Sequence, residues 1–136
     1  MKTLLVTIGS HGDIHPFIAI AHALRRRRHD AIIVTNPYFQ RQIEASGATF
    51  APLCERTELK QVIEEHKVMD PNRGPMNVLR NLVLPMVPET VRRVRELIRS
   101  ERPDAVVYHP IVLGAPWACQ LEGNVPTVSI SPSPTI

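Results

Sequence analysis

The sequence predicts an α/β fold, one parallel sheet with helices on both faces, and two observations predict it. Short apolar runs rich in β-branched residues recur at residues 3–8, 31–35, 49–52, 104–108 and 125–130. The stretches between them carry apolar residues at helical spacing. Strands alternating with helices at this interval read as β-α-β units, and right-handed crossovers then place helices on both sides of the sheet. A chain of 136 residues has the size of about one domain, and its 43% hydrophobic and 21% charged content is that of an ordinary folded chain.

Residues 3–8 form the first buried strand, closed by Gly9. From Pro16 onward, Phe17, Ile18, Ile20, Ala21 and Leu24 follow helical spacing and predict a helix over 14–28. Its last turn gathers Arg25, Arg26, Arg27 and Arg28, where cations complement the partial negative charge of unpaired carbonyls. Aromatic residues make up only 4% of the chain and none interleaves with these arginines, so there is no stacking platform and no nucleic-acid partner is expected. After the strand over 31–35, Asn36-Pro37 turns the chain into a short helix over 38–46 that Gly47 ends in a left-handed cap. The third strand is 49–52.

Residues 53–76 combine a short helical segment, 58–66, with the turn-rich Asp70-Pro71-Asn72-Arg73-Gly74-Pro75. Over 76–99, Val78, Leu79, Leu82, Val83, Val87, Val91, Val94, Leu97 and Ile98 describe a long helix that Pro85 and Pro88 must kink or split. Met76, Leu79, Leu82, Val83 and Met86 are expected in its core. The fourth strand, 104–108, leads into a helix over 113–122 that closes near Gly123, with Trp117 expected inside, and the fifth strand is 125–130. Ser131-Pro132-Ser133-Pro134 reads as a loop. The whole is a Rossmann-like sheet, and a single domain over 1–136 that stops just after a strand is expected to be incomplete.

The longest apolar runs are strand-sized, far short of the ~20 residues that a membrane span needs. Gly9 to Asp13 interrupts the N-terminal apolar run before it could serve as a cleavable signal. The expectation is therefore a cytoplasmic chain without an integral membrane segment. Cys54 and Cys119 have neither metal-type spacing nor the number needed for a disulfide framework, and are expected to be inert apolar fillers.

Chemistry concentrates in Gly9-Ser10-His11-Gly12-Asp13-Ile14-His15-Pro16. This turn follows the first strand, at the carboxyl edge where open α/β sheets bind ligands. A dinucleotide site needs G-x-G-x-x-G and an acidic residue after the second strand; here Gly9 and Gly12 stand without a third glycine and Asn36 takes the acidic place. The G-K-[ST] of a phosphate loop is also missing. If residues 11–15 were extended, His11, Asp13 and His15 would share a face and could ligate zinc or iron, as in a metal-dependent hydrolase. Alternatively Asp13 acts as a general base with His109, which follows the fourth strand and reaches the same edge in a parallel sheet. Asp13 could equally be a helix cap and His109 an edge histidine with no role in chemistry.

Gly9-Ser10-His11-Gly12-Asp13-Ile14-His15-Pro16-Phe17-Ile18-Ala19-Ile20-Ala21, followed by Asn36-Pro37-Tyr38-Phe39, Arg102-Pro103-Asp104-Ala105-Val106-Val107 and Val125-Pro126, resembles the N-terminal half of GT-B glycosyltransferases. The resemblance is to the family 28 and sterol- and flavonoid-UDP-glycosyltransferase-like group. It implies that Asp13 is the catalytic base and His109 its partner, with the two residue types exchanged relative to the plant enzymes. Ser10, His11, Gly12, His15, Pro110 and Ser131 fall on the acceptor side. Residues 110–116, 131–133 and 70–84 would line an apolar cleft.

The implied reaction is inverting transfer of a hexose from a nucleotide-diphosphate donor, UDP- or dTDP-linked, to a hydroxyl of a lipid or small lipophilic acceptor. No metal and no cofactor beyond that co-substrate is implied. The family's nucleotide-sugar-binding C-terminal domain is not in this sequence, so the piece alone is expected to be inactive, and its exposed docking face is expected to favour self-association. Beside this reading stand a metal-dependent hydrolase and a non-catalytic half that pairs with a separate donor subunit. One departure is Arg27-Arg28-His29 where the family has R-G-H, which removes a glycine cap at a local cost in stability.

Overall fold

A computed structural model describes residues 1–132; Ser133 and Pro134, expected in a loop, lie outside the described residues. Five strands, β1 Lys2–Val6, β2 Asp30–Thr35, β3 Thr49–Pro52, β4 Ala105–Tyr108 and β5 Thr127–Ser129, form one parallel sheet in the order β3-β2-β1-β4-β5. The chain builds outward from β1 to β3 and then crosses back to place β4 on the other side of β1. β1 is therefore central, with Leu5 in register with Ile33 on one side and Val107 on the other. The strand order reverses at β1 and β4, which is where a ligand crevice forms in sheets of this kind.

Alternation along the strands sorts the core into two layers. Leu5, Ile33 and Val107 pack with Ile14, Phe17 and Ala21 of α1 (His11–Arg26) and Ile43 of α2 (Gln40–Ala45). Leu4, Val6, Ile32, Val34 and Val106 pack against the opposite helices, α5 (Leu84–Glu101) and α6 (Gly114–Leu121), through Val94, Leu97, Ile98, Ala115, Ala118 and Cys119. Helices thus cover both faces, as the sequence predicts. The shorter α3 (Leu59–Glu65) and α4 (Gly74–Val78) occupy the crossover. Cys119 is a core filler whose thiol is pushed up to about 11 by burial, which leaves it without a reactive thiolate. Among the described residues no helix is long and apolar enough to cross a membrane.

Three elements differ from the sequence expectation. The first helix starts at His11, three residues before the expected 14, because its polar first turn lies ahead of the apolar stripe that marks a helix. Pro16 sits inside α1, where it removes only one backbone bond. The long helix is neither one kinked rod nor two separate ones: α4 runs into a π turn, Leu79–Val83, and then into α5. Pro85 cannot donate to the carbonyl one turn back and crowds it, and the wider turn just before it relieves that conflict. Within this stretch Val83 is buried, but Met76 and Leu79 face water.

Trp117, expected inside, is 56% exposed. The inward stripe of α6 is made of Gly114, Ala115, Ala118 and Cys119 instead, small residues that let the helix lie close to α5. A Cβ on Gly114 would come within 2.9 Å of both Thr90 Cβ and the Val87 carbonyl oxygen. Trp117 is thereby turned outward. Arg95 and Arg99 of α5 both donate to Glu122 just beyond α6, at 2.6 and 2.7 Å, and hold the pair at its far end.

The arginine run closes α1 as expected, and the missing glycine has a visible effect. The His29 N–H donates to the Leu24 carbonyl at 3.0 Å and the Arg28 N–H to the Arg25 carbonyl at 2.9 Å, the paired bonds of a Schellman cap. That cap puts Arg28 at φ 63, where a side chain costs roughly 1–2 kcal/mol. Arg28→Gly relieves the strain and adds unfolded-chain entropy, for an expected net gain of about 0.5–1 kcal/mol. Urea denaturation should show a raised midpoint with an unchanged slope; a lowered midpoint contradicts this account of the cap.

Candidate functional site

The carboxyl edge at β1 and β4 is built by two short connections. After β1, Thr7 and Ile8 lead to Gly9 at φ 129, a conformation open to glycine and not to L side chains. There the backbone passes directly against the Asp13 carboxylate: a Cβ on Gly9 would stand 2.3 Å from Asp13 Oδ2. The chain then enters α1, and Asp13 reaches back from the first turn. Its Oδ2 accepts from the Ser10 backbone N–H at 2.7 Å and from the Ser10 hydroxyl at 3.1 Å, the acidic half of a capping box. The Thr7 hydroxyl donates to the Asp13 carbonyl oxygen at 3.3 Å.

After β4, the His109 N–H donates to the Val6 carbonyl at 2.9 Å, which carries the β1–β4 ladder one residue further. This places His109 beside the β1–α1 turn. Its Nε2 lies 3.4 Å from Asp13 Oδ1, at the outer edge of hydrogen-bond reach. On the other side of the ring, Nδ1 accepts from the Ile111 backbone N–H at 3.1 Å. The Phe17 ring of α1 packs against the imidazole with centroids 6.5 Å apart. Both groups are partly sheltered, His109 at 14% and Asp13 at 31% side-chain exposure.

The His109 contact, helped by the Ser10 N–H and hydroxyl, holds the Asp13 carboxyl below its ordinary value against the opposing effect of partial burial. The positive end of α1 favours the same charge. Asp13 is therefore a carboxylate at neutral pH. One oxygen is committed to Ser10, and the other has only a long contact to an imidazole. Such a group can take a proton from a hydroxyl delivered at Oδ1.

Of the residues singled out in the sequence, Ser10, Asp13 and His109 come together here, with Gly12 in the same turn and Pro110 next to His109. His11 and His15 turn elsewhere. The His11 ring packs edge-on to Phe39 and Tyr38, with centroids 5.1 and 6.2 Å away, and His15 Nε2 lies 2.6 Å from the Gln42 amide nitrogen. Ser131 is exposed beyond β5, where the Ile130 N–H donates to the Tyr108 carbonyl at 2.9 Å, so it belongs to the same edge at one strand's remove.

The extended 11–15 segment on which the metal reading depends is not formed. Residues 11–15 are helical, and successive alternate positions on a helix point about 200° apart. His11 and His15 therefore share one face and Asp13 points to another. Among the described residues no group of three His, Cys, Asp or Glu could hold a metal ion, so the metal-dependent hydrolase loses its premise. A groove of about 540 Å³ runs along α1 and α2, lined by His15, Ile18, His22, Arg26 and Gln42. It contains neither Asp13 nor His109 and is a surface feature apart from the site.

Three contributors escape sequence reasoning. Gly9 reads as a turn former, while its larger role is to leave room for a carboxylate four residues on. The Ile111 backbone amide leaves no trace in side-chain patterns. Asn36 accepts from the Tyr38 N–H at 2.9 Å and donates to the Thr57 carbonyl at 3.2 Å; the Asn36-Pro37 turn signals the first bond, and nothing signals the second.

The family model for the glycosyltransferase family 28 N-terminal domain matches residues 3–118. The chain belongs to that family. As a family 28 domain it has relatives among sterol 3-beta-glucosyltransferases. It is 26% identical over 121 residues to one from Arabidopsis thaliana, across 84% of this chain and 20% of the relative. It is 37% identical over 67 residues to one from Komagataella phaffii, across 48% of this chain and 6% of the relative. The domain thus spans a minor part of these enzymes.

Solved structures share its fold. The glycosyltransferase SsfS6 of Streptomyces sp. SF2575, complexed with thymidine diphosphate, matches 96% of this chain and 38% of its own, with TM-score 0.74 at 20% identity. SnogD of Streptomyces nogalater matches 98% and 34%, with TM-score 0.74 at 20% identity. The family 28 domain therefore has the N-terminal architecture of a GT-B glycosyltransferase, as its sequence suggested.

Proposed function

We propose that this chain is the acceptor-binding part of an inverting sugar transferase that glycosylates a sterol or another lipophilic alcohol, with Asp13 as the base. The observation that carries the reading is the ionised Asp13 carboxylate at the β1–β4 edge of a family 28 domain, with Oδ2 anchored to Ser10 and Oδ1 facing His109. The acceptor hydroxyl gives its proton to Oδ1 while its oxygen bonds to the anomeric carbon. The bond from that carbon to the diphosphate oxygen breaks, and the nucleotide diphosphate leaves with the electron pair. Attack opposite the leaving group inverts the anomeric centre.

In this reading residues 1–136 act as an N-terminal acceptor domain, and binding of the nucleotide sugar falls to a separate C-terminal domain. The sterol acceptor is supported by the sterol 3-beta-glucosyltransferase relatives, and a nucleoside-diphosphate-linked donor, UDP- or dTDP-hexose in this proposal, by the thymidine diphosphate in a structural neighbour. Ser10, Gly12, Pro110 and Ser131 are proposed on the acceptor side next to Asp13, and His11 and His15 at its margin, on the neighbouring face of α1. The test is to express the full reading frame and assay a panel of UDP- and dTDP-hexoses against sterols and small lipophilic alcohols. Transfer with inverted anomeric configuration is expected. Absence of transfer from every donor to every hydroxyl acceptor overturns the proposal.

A further inference from the structure

The two ring nitrogens of His109 are held by partners of opposite character. A backbone N–H can only donate, so the Ile111 amide at 3.1 Å from Nδ1 requires a lone pair there. The neutral ring then carries its proton on Nε2, and that is the nitrogen facing Asp13 Oδ1 at 3.4 Å. The Val112 N–H donates to the His109 carbonyl at 2.9 Å, which folds the 109–112 turn so that the Ile111 amide stays under the ring. Phe17 supports the ring from α1. Backbone geometry thus fixes the tautomer from the side away from the carboxylate.

We propose that His109 is a positioning residue that donates from Nε2 to Asp13 Oδ1 and does not carry the acceptor's proton. This rests on the reading of Asp13 as the base. A proton taken by Asp13 cannot pass to Nε2, which already holds one, and protonating Nδ1 would break the Ile111 bond. The proton therefore leaves from Asp13 to water after the glycosylated product departs. The role of His109 is to keep Asp13 ionised and to turn Oδ1 toward the acceptor.

The pH consequence depends on few groups. Asp13 is faced by His109 from the segment after β4 and by the uncharged Ser10 at the start of α1. The other nearby imidazoles, His11 and His15, are turned toward Phe39, Tyr38 and Gln42. His109 is faced by Asp13 and Phe17 of α1 and by the Ile111 amide. Removing the Nε2 donor therefore moves the Asp13 titration upward, because the largest influence holding it down is lost.

Two measurements on the chain itself test this without reading activity, so their failure is separate from failure of the transferase reading. Nitrogen NMR of the labelled, unaltered protein should show His109 with a proton on Nε2 and a lone pair on Nδ1; a proton on Nδ1 overturns the proposal. Carboxyl carbon NMR should then follow the Asp13 titration in wild type, His109→Gln and His109→Ala. Glutamine retains a donor with no basic nitrogen, so its Asp13 titration is expected near the wild-type position, while alanine moves it to higher pH. Coincident titrations in all three chains overturn the proposal.

Discussion

Asp13→Asn, introduced into the full-length protein, is expected to lower turnover by ~10²–10⁴-fold, the range for loss of a general base. The change removes the basic site and puts an amide NH2 where Oδ1 faced His109 Nε2, while keeping the oxygen that meets Ser10. An asparagine oxygen can still accept from the Ser10 N–H, which Asp13 engages at 2.7 Å, so the first turn of α1 keeps its cap and the acceptor KM should move little. A thermal melt followed by circular dichroism checks that the fold is retained, and unchanged turnover ends the assignment of Asp13 as base. The acid side supplies a second signature. The Asp13 carboxyl is lowered in the folded chain, so its contribution to stability is present above the unfolded value near ~3.9 and is lost as pH falls through the lower folded value. The asparagine variant lacks that loss.

Gly9→Ala is expected to damage the same function by a different route. The new methyl group would lie 2.3 Å from Asp13 Oδ2 on a backbone at φ 129, so both the turn and the carboxylate must move. Strained backbone of this kind costs roughly 1–3 kcal/mol, and displacing a catalytic group by about 1 Å can cost ~10²-fold in rate. A lowered melting temperature together with turnover reduced by about that factor is the expected result. Wild-type stability and turnover in Gly9→Ala would show that the turn and the carboxylate are not pressed together as described.

The layered sheet is legible in the sequence because its signal is periodic. Leu4-Leu5-Val6, Ile32-Ile33-Val34 and Val106-Val107 are unbroken apolar runs recurring at βαβ intervals, the mark of parallel strands buried on both faces. Elements whose position depends on polar contacts or on a neighbour's shape are not legible in this way. The start of α1 at His11 rests on Asp13 reaching back to Ser10, before any apolar repeat begins. The outward turn of Trp117 follows from Gly114 lying against Thr90 and Val87 of α5, a contact between segments distant in the chain. At the site, the meeting of Asp13 and His109 can be anticipated, since parallel strands deliver the residues that follow them to one edge. The divergence of His11 and His15 from Asp13 is harder to read, because it depends on the helix beginning at His11, three residues before its apolar stripe does.

The chain has a single tryptophan, and α6 holds it at the surface with 56% of its area in water. Its indole already samples a polar medium when the protein is folded, so ultraviolet emission is a poor gauge of whether the interior is intact. The same fluorophore is well placed to register another molecular surface settling over α6, by a blue shift and by shielding from soluble quenchers.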